Sequence, residues 1–227
     1  MSAPGYTTLA RRLANRAWWQ RYGASLRYAL HVIIHPFDGF WDLTRERRGS
    51  LAAANTIVLL TMLTRVLSLE YTSFLFMRVN WARVNVFTEM LTILLPLLIW
   101  CVANWSLTTL FEGKGRMSDI YMGTAYALTP YVLIQLPLIL LSNVVTVEEG
   151  AIYSVLSGIS VLWSGLLIVF AMMMIHDYSL GKTVAFMVMS LFGMLVIVFV
   201  MLLFFSLISD GIAYLVSLYK ELSFRLY

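Results

Sequence analysis

The sequence predicts an all-α, polytopic membrane protein: a five-transmembrane-helix bundle with an N-terminal amphipathic interfacial helix. Three observations carry that expectation. Of 227 residues, 60% are hydrophobic and only 12% are charged, whereas a soluble domain carries about a quarter charged residues. A soluble chain of this length would still need a polar surface around its core, and these residues cannot supply one. Five apolar segments reach the roughly 20 residues that a helix needs to cross about 30 Å of hydrocarbon. A basic, aromatic-rich stretch precedes the first of them.

The spans are expected at 51–69, 86–107, 121–142, 151–175 and 184–208, the last being the most continuously apolar. They divide the chain into an N-terminal region (1–50), a membrane domain (51–210) and a tail (211–227) that either extends the last helix or lies on the surface. Short connections make sequential helices antiparallel neighbours. In the N-terminal region, Leu9, Leu13 and Ala17 recur at four-residue steps beside Arg12 and Arg16, and Trp18, Trp19 and Tyr22 suit the headgroup boundary. A secretory signal peptide is not expected, because 1–27 hold no apolar core and 28–34 is short and followed by His35-Pro36.

The formal net charge is +4, and its distribution orients the chain. Arg11, Arg12, Arg16, Arg21, Arg27, Arg45, Arg47 and Arg48 share one side with Lys114, Arg116 and Lys182. The other side holds Arg78, Arg83, Lys220 and Arg225. The positive-inside rule places the N-terminus in the cytoplasm, and an odd number of spans places the C-terminus outside. A basic segment on a lipid-embedded chain points to anionic lipid headgroups as its partner, and not to nucleic acid. The single Cys101 excludes an intramolecular disulfide and reads as a small apolar residue.

Polar groups inside the spans are the first candidates for function, since lipid makes them costly. Arg65 and Glu89 are expected at matched depth near the outer ends of the first two spans, and Asn55 and Asn104 near the inner ends. Each pair is read as glue for the hairpin. Gln135 lies mid-span between Pro130 and Pro137, a candidate cavity of the kind that broken helices line in transporters; Pro96 adds a second break. Ser154, Ser157, Gly158, Ser164 and Gly165 form a small-residue face on the fourth span. His31, His35, Asp38 and Asp42 approach metal-ligand spacing, but Pro36 breaks the helix that would align the two histidines, so no metal or cofactor is expected. The chain has no HExxH, GxSxG, Walker A or GxGxxG run, and Glu148-Glu149 falls in a loop rather than a span. No catalytic set can be named, and the chain is expected not to be an enzyme.

Three segments on the predicted cytosolic side carry a resemblance. His35-Pro36-Phe37-Asp38-Gly39-Phe40-Trp41-Asp42-Leu43 runs into Arg47-Arg48-Gly49-Ser50 before the first span. Gly113-Lys114-Gly115 leads through Tyr121 to Ala125-Tyr126-Ala127-Leu128-Thr129-Pro130. His176-Asp177-Tyr178-Ser179-Leu180-Gly181-Lys182 opens the last span. In order and placement these resemble the bacterial branch of the Yip1-domain family, over about 28–210. The resemblance implies five spans, a cytosolic N-terminus and a bacterial inner membrane. Eukaryotic members act in vesicle traffic and bind small GTPases of the Rab type. Their Asp-Leu-Tyr-Gly-Pro run is missing, with Asp42-Leu43-Thr44 the nearest match, so that role is not implied here.

Phe37, Phe40 and Trp41 are expected to anchor the interface, Arg45, Arg47 and Arg48 to sit among headgroups, Pro36 and Gly39 to end the amphipathic helix, and Gly113, Gly115 and Gly181 to permit tight turns. With Asp42, Lys114, His176 and Lys182 these residues make a candidate cytosolic docking face. The expected function is a non-enzymatic scaffold or accessory subunit, with a membrane-protein partner or a second copy of the chain. The alternative is a small-solute transporter, or a component of one, with its path at the kinked second and third helices.

Overall fold

The computed structural model describes residues 16–76, 84–111 and 113–226, with side chains as far as Phe224. The expectations placed on Leu9, Leu13, Arg11, Arg12, Arg78, Arg83 and the side chain of Arg225 lie outside the described residues. Every regular element described is a helix. They are α1 Arg16–Ile34, α2 Pro36–Arg45, α3 Leu51–Tyr71, α4 Val86–Leu110, α5 Met117–Ala127, α6 Thr129–Leu141, α7 Gly150–His176 and α8 Leu180–Leu226. Five spans are long and apolar enough to cross a membrane, with α5 and α6 together forming the third.

Local chemistry accounts for the boundaries. The hydroxyl of Ser50 accepts from the Ala53 N–H at 3.2 Å and caps α3, and Asn85 accepts from the Phe87 N–H at 2.9 Å and caps α4. Pro36 occupies the first position of α2, where its missing N–H is harmless, so it starts this helix as well as separating it from α1. Gly39 ends nothing: it lies inside α2, and a Cβ there would come 2.9 Å from Cα of Val32, so it lets α1 and α2 cross closely. The third span breaks at Leu128, two residues before Pro130, while Pro96 and Pro137 stay inside continuous helices.

The third span is the most enclosed and α8 the least. The fifth span packs chiefly on α4, the second span, and only lightly on its sequence neighbour α7. The helix α8 does not stop at Asp210. It runs unbroken for 47 residues, about 70 Å at 1.5 Å per residue, more than twice the hydrocarbon thickness. The tail therefore extends the last helix instead of lying flat.

The best-packed core sits at the end of the bundle covered by α1 and α2. Val32, Phe40, Leu43, Ala53, Ala54, Ile120, Tyr126 and Met172 are fully enclosed there. Alanines on α3, α5 and α7, with Gly123, let the backbones approach, as membrane helices require when lipid supplies no hydrophobic push. At the opposite end Ser142 accepts from the Ser73 N–H at 3.1 Å, and Asn143 donates to the Tyr71 carbonyl at 2.8 Å.

Candidate functional site: a basic cavity over a buried polar chain

The three segments quoted from the sequence meet at the α1 end of the bundle. The turn between α2 and α3 and the loop between α4 and α5, with Ile175 near the end of α7, surround a cavity of about 580 Å³. Arg45, Arg47, Lys114 and Arg116 face it, with Asp119 the one carboxylate in its wall among the described residues. Ser50 and Leu51 at the start of α3, and Ser118 and Asp119 at the start of α5, complete one side. Two helix N-termini, each carrying a partial positive charge, therefore border it.

Two backbone strains mark this place. Among the described residues, Arg47 (φ 55°) and Asp177 (φ 59°) are the non-glycine residues in the left-handed region. For an L-residue that conformation costs about 1–2 kcal/mol, with Asp more tolerant because its side chain bonds locally. Both follow a helix C-terminus, a position that glycine usually takes. The turn at Arg47 places its side chain on the cavity. The turn at Asp177 brings its carboxylate to Lys114, whose Nζ donates to Oδ2 at 2.8 Å. Lys114, first by that hydrogen bond and then by its charge, holds the Asp177 carboxyl below its ordinary value, and Arg45 adds to the effect.

Beneath the cavity runs a buried polar chain. The Gly115 N–H donates to Nδ1 of His176 at 3.4 Å, which leaves the proton on Nε2; Nε2 donates to Oδ1 of Asn104 at 3.1 Å. Nδ2 of Asn104 then donates to Ser190 Oγ at 3.1 Å, and Ser190 donates to the Phe186 carbonyl at 2.8 Å. The chain joins the α4–α5 loop to α7, α4 and α8. Glycine is required above it. A Cβ on Gly115 would lie 2.5 Å from Ile175 and 2.7 Å from His176, and one on Gly113 would lie 2.6 Å from Thr108. Gly113 and Gly115 thus serve close approach and carry no positive φ, whereas Gly181 lies in open space within α8.

Tyr126 supplies a second tie. Its buried hydroxyl meets Ser25 Oγ at 2.7 Å, donates to the Ser25 carbonyl at 3.1 Å and accepts from the Ser50 N–H at 3.4 Å, fastening α1 and the α3 cap to α5. On the outer rim, Tyr28 donates to Asp42 at 3.3 Å, and Arg48 bridges Glu46 at 2.7 Å and Asp42 at 3.5 Å. Burial, reinforced by Asp42, pushes the Tyr28 phenol up to about 12.

Several expected site residues fall elsewhere. Phe40 (0% exposed) and His176 (2%) are core residues, so neither belongs to a docking surface; both turn inward because the close glycine contacts draw α2 and the α4–α5 loop over them. Phe37 and Trp41 are exposed, the first with its ring 4.7 Å from Phe170 and the second stacked under Arg45 at 4.4 Å. Lys182 lies 4.1 Å over the Tyr178 ring. His31 and His35 stack at 4.9 Å despite Pro36, but among the described residues no third ligand makes a metal group with them.

In the spans, Arg65 Nε meets Glu89 Oε2 at 3.3 Å, as matched depth predicted. Asn55 and Asn104 do not pair. Asn55 faces α5 and accepts from Tyr121 at 2.8 Å, while Asn104 faces α7 and α8. Gln135 is buried, and its amide nitrogen donates to Ser157 at 3.0 Å and Ser160 at 2.9 Å, joining α6 to α7. Of the small-residue face, Ser157 and Ser164 turn inward but Gly158 and Gly165 have no neighbour near a Cβ, so this is not one continuous packing face. Sequence pattern does not mark Arg116, Asp119 and Asp177 as site residues; two cations flanking Gly115 are the available signal for Arg116.

These features define a polytopic α-helical membrane protein with a preorganised polar cap on one end. The Yip1 domain family model matches residues 30–203, and the chain belongs to that family. No curated protein and no solved structure matches it.

Proposed function

We propose that this Yip1-family protein is a non-enzymatic scaffold or accessory subunit of a membrane complex in a bacterial inner membrane, working through the α1 end of its bundle, and that this end faces the cytosol. One observation carries the reading: Arg47 and Lys114, from two separate segments, line one cavity, and Asp177, from a third, holds Lys114, with left-handed turns at Arg47 and Asp177 and a close-packed Gly115 keeping these segments in place. Strain maintained by surrounding structure concentrates at functional places. The concentration of basic residues at that end supports the cytosolic orientation. The described cavity wall is dominated by cations, and its carboxylate, Asp119, is engaged by the Arg116 N–H and the Ser118 hydroxyl.

The transporter alternative has less support, because Gln135 is held by two serines of the neighbouring helix, an arrangement suited to gluing. The test is affinity purification in mild detergent of the wild type and of Arg47→Glu with Lys114→Glu. A stoichiometric membrane partner should accompany the wild type and be lost from the double variant. A wild-type protein that elutes alone would sink the reading.

A further inference from the structure

We infer that the cavity between the α2–α3 turn and the α4–α5 loop binds a phosphate group, presented by a lipid headgroup or by a soluble phosphate compound. The inference rests on the α1 end being the working face, but it needs no protein partner.

The wall chemistry selects the ligand. Among the described residues four cations share the wall with one carboxylate, and they come from two segments, Arg45 and Arg47 on one and Lys114 and Arg116 on the other. Of these, Arg45, Arg47 and Arg116 have no salt bridge among the described residues, although Arg45 stacks on the Trp41 ring and acts on Asp177 at longer range. Arginine forks approaching from opposite sides match a tetrahedral oxyanion better than a planar carboxylate, which one fork satisfies. Among the described residues, Asp119 and Asp177 are already committed. Asp119 accepts from the Arg116 N–H at 3.3 Å and from the Ser118 hydroxyl at 3.4 Å, and Asp177 is held by Lys114. The starts of α3 and α5 add their positive ends.

Position argues for access from the membrane surface. The cavity sits where α3 and α5 begin, at the end of the spans, with the exposed ring of Trp41 stacked under its lining residue Arg45. At about 580 Å³ it holds more than a bare phosphate, leaving room for the group esterified to it. The left-handed turn at Arg47 presents one side chain that no carboxylate among the described residues claims, which a purely structural turn would not need.

The experiment uses full-length protein in an uncharged detergent, with two arms. Inorganic phosphate is titrated calorimetrically, and phosphatidylglycerol is offered against zwitterionic phosphatidylcholine with retained lipid read by native mass spectrometry. Binding in the first arm identifies a soluble source, and preferential retention in the second a headgroup; either supports the inference. Arg47→Gln and Arg116→Gln should each weaken that binding about tenfold, as loss of one charge-assisted hydrogen bond does. Lys182→Gln, which alters a cation outside the cavity, should leave it unchanged. Should Arg47→Gln unfold the turn, Arg116→Gln alone and Asp119→Asn, which removes the wall carboxylate and should tighten binding, decide the matter. No binding in either arm, or unchanged affinity in the arginine variants, overturns the inference. Partner recovery that survives alongside such a result would leave the scaffold reading standing by itself.

Discussion

Nε2 of His176, at the last residue of the fourth span, lies 3.1 Å from Oδ1 of Asn104 on the second span, and both side chains are enclosed. In hydrocarbon neither has water to fall back on. Replacing His176 by Phe should lower stability by about 1–3 kcal/mol, because it leaves the Asn104 oxygen and the Gly115 N–H unpaired. Adding Asn104→Leu should cost less than the sum of the two single changes, as contacting residues couple. Thermal melts in detergent measure this, and strictly additive losses would show that the chain is not one unit.

The glycines above that chain separate into two kinds. Gly115→Ala should destabilise by about 1–3 kcal/mol, since the methyl must displace Ile175 and the His176 ring. Gly181→Ala should be neutral or stabilise by up to about 1 kcal/mol through helix propensity, because nothing lies near it. Equal effects in the same melting assay would count against the packing argument.

Arg65 and Glu89 are 38% and 21% exposed, which limits the strength of their pair. Each change to Ala should lose about 0.5–1 kcal/mol, with the double variant less than additive. Glu89 also lies in the first turn of α4, where the helix dipole favours its charge, so Glu89→Ala should be the more damaging of the two.

The link between Lys114 and Asp177 sets an acid-side dependence. Because the Asp177 carboxyl is held below its ordinary value of 3.8, its contribution is complete above that value and disappears as pH falls through the lowered native one. Stability should therefore be flat through neutrality and decline in acid, with Asp177→Asn showing a shallower acid limb. A variant with an unchanged acid limb would remove this link from the account.

Orientation can be read by chemical labelling. In a Cys101→Ser background, Lys182→Cys should resist a membrane-impermeant maleimide in intact cells, while Glu148→Cys reacts. The reverse pattern would invert the bundle.

The spans were legible because lipid permits few alternatives: runs such as 86–107 and 184–208 have one reading at that length and composition. The break at Pro130 and the pairing of Arg65 with Glu89 were legible for equally direct reasons, a missing backbone donor and matched depth. Rotation about the helix axes was not. Helices apolar on every side carry no stripe to show which face turns inward. For that reason depth alone pairs Asn104 with Asn55, whereas it faces His176 and Ser190, and sequence pattern puts Phe40 at the surface, whereas it fills the core. The bond between Lys114 and Asp177, like the shared cavity wall of Arg47 and Lys114, joins segments more than sixty residues apart, which no local pattern encodes.

The serine at the end of the polar chain also settles something about α8. That helix meets α4 across side chains such as Leu107, Ala103 and Gly193, and such a surface would accept several sliding positions. Only Ser190 offers a tooth to Asn104. A displacement of one turn would leave the asparagine amide facing hydrocarbon, a penalty that no gain in apolar contact offsets when the lipid is equally apolar. Ser190 therefore works as an indexing pin: it fixes the depth at which the 47-residue helix is seated, and with it how far the helix reaches beyond the opposite face of the bilayer.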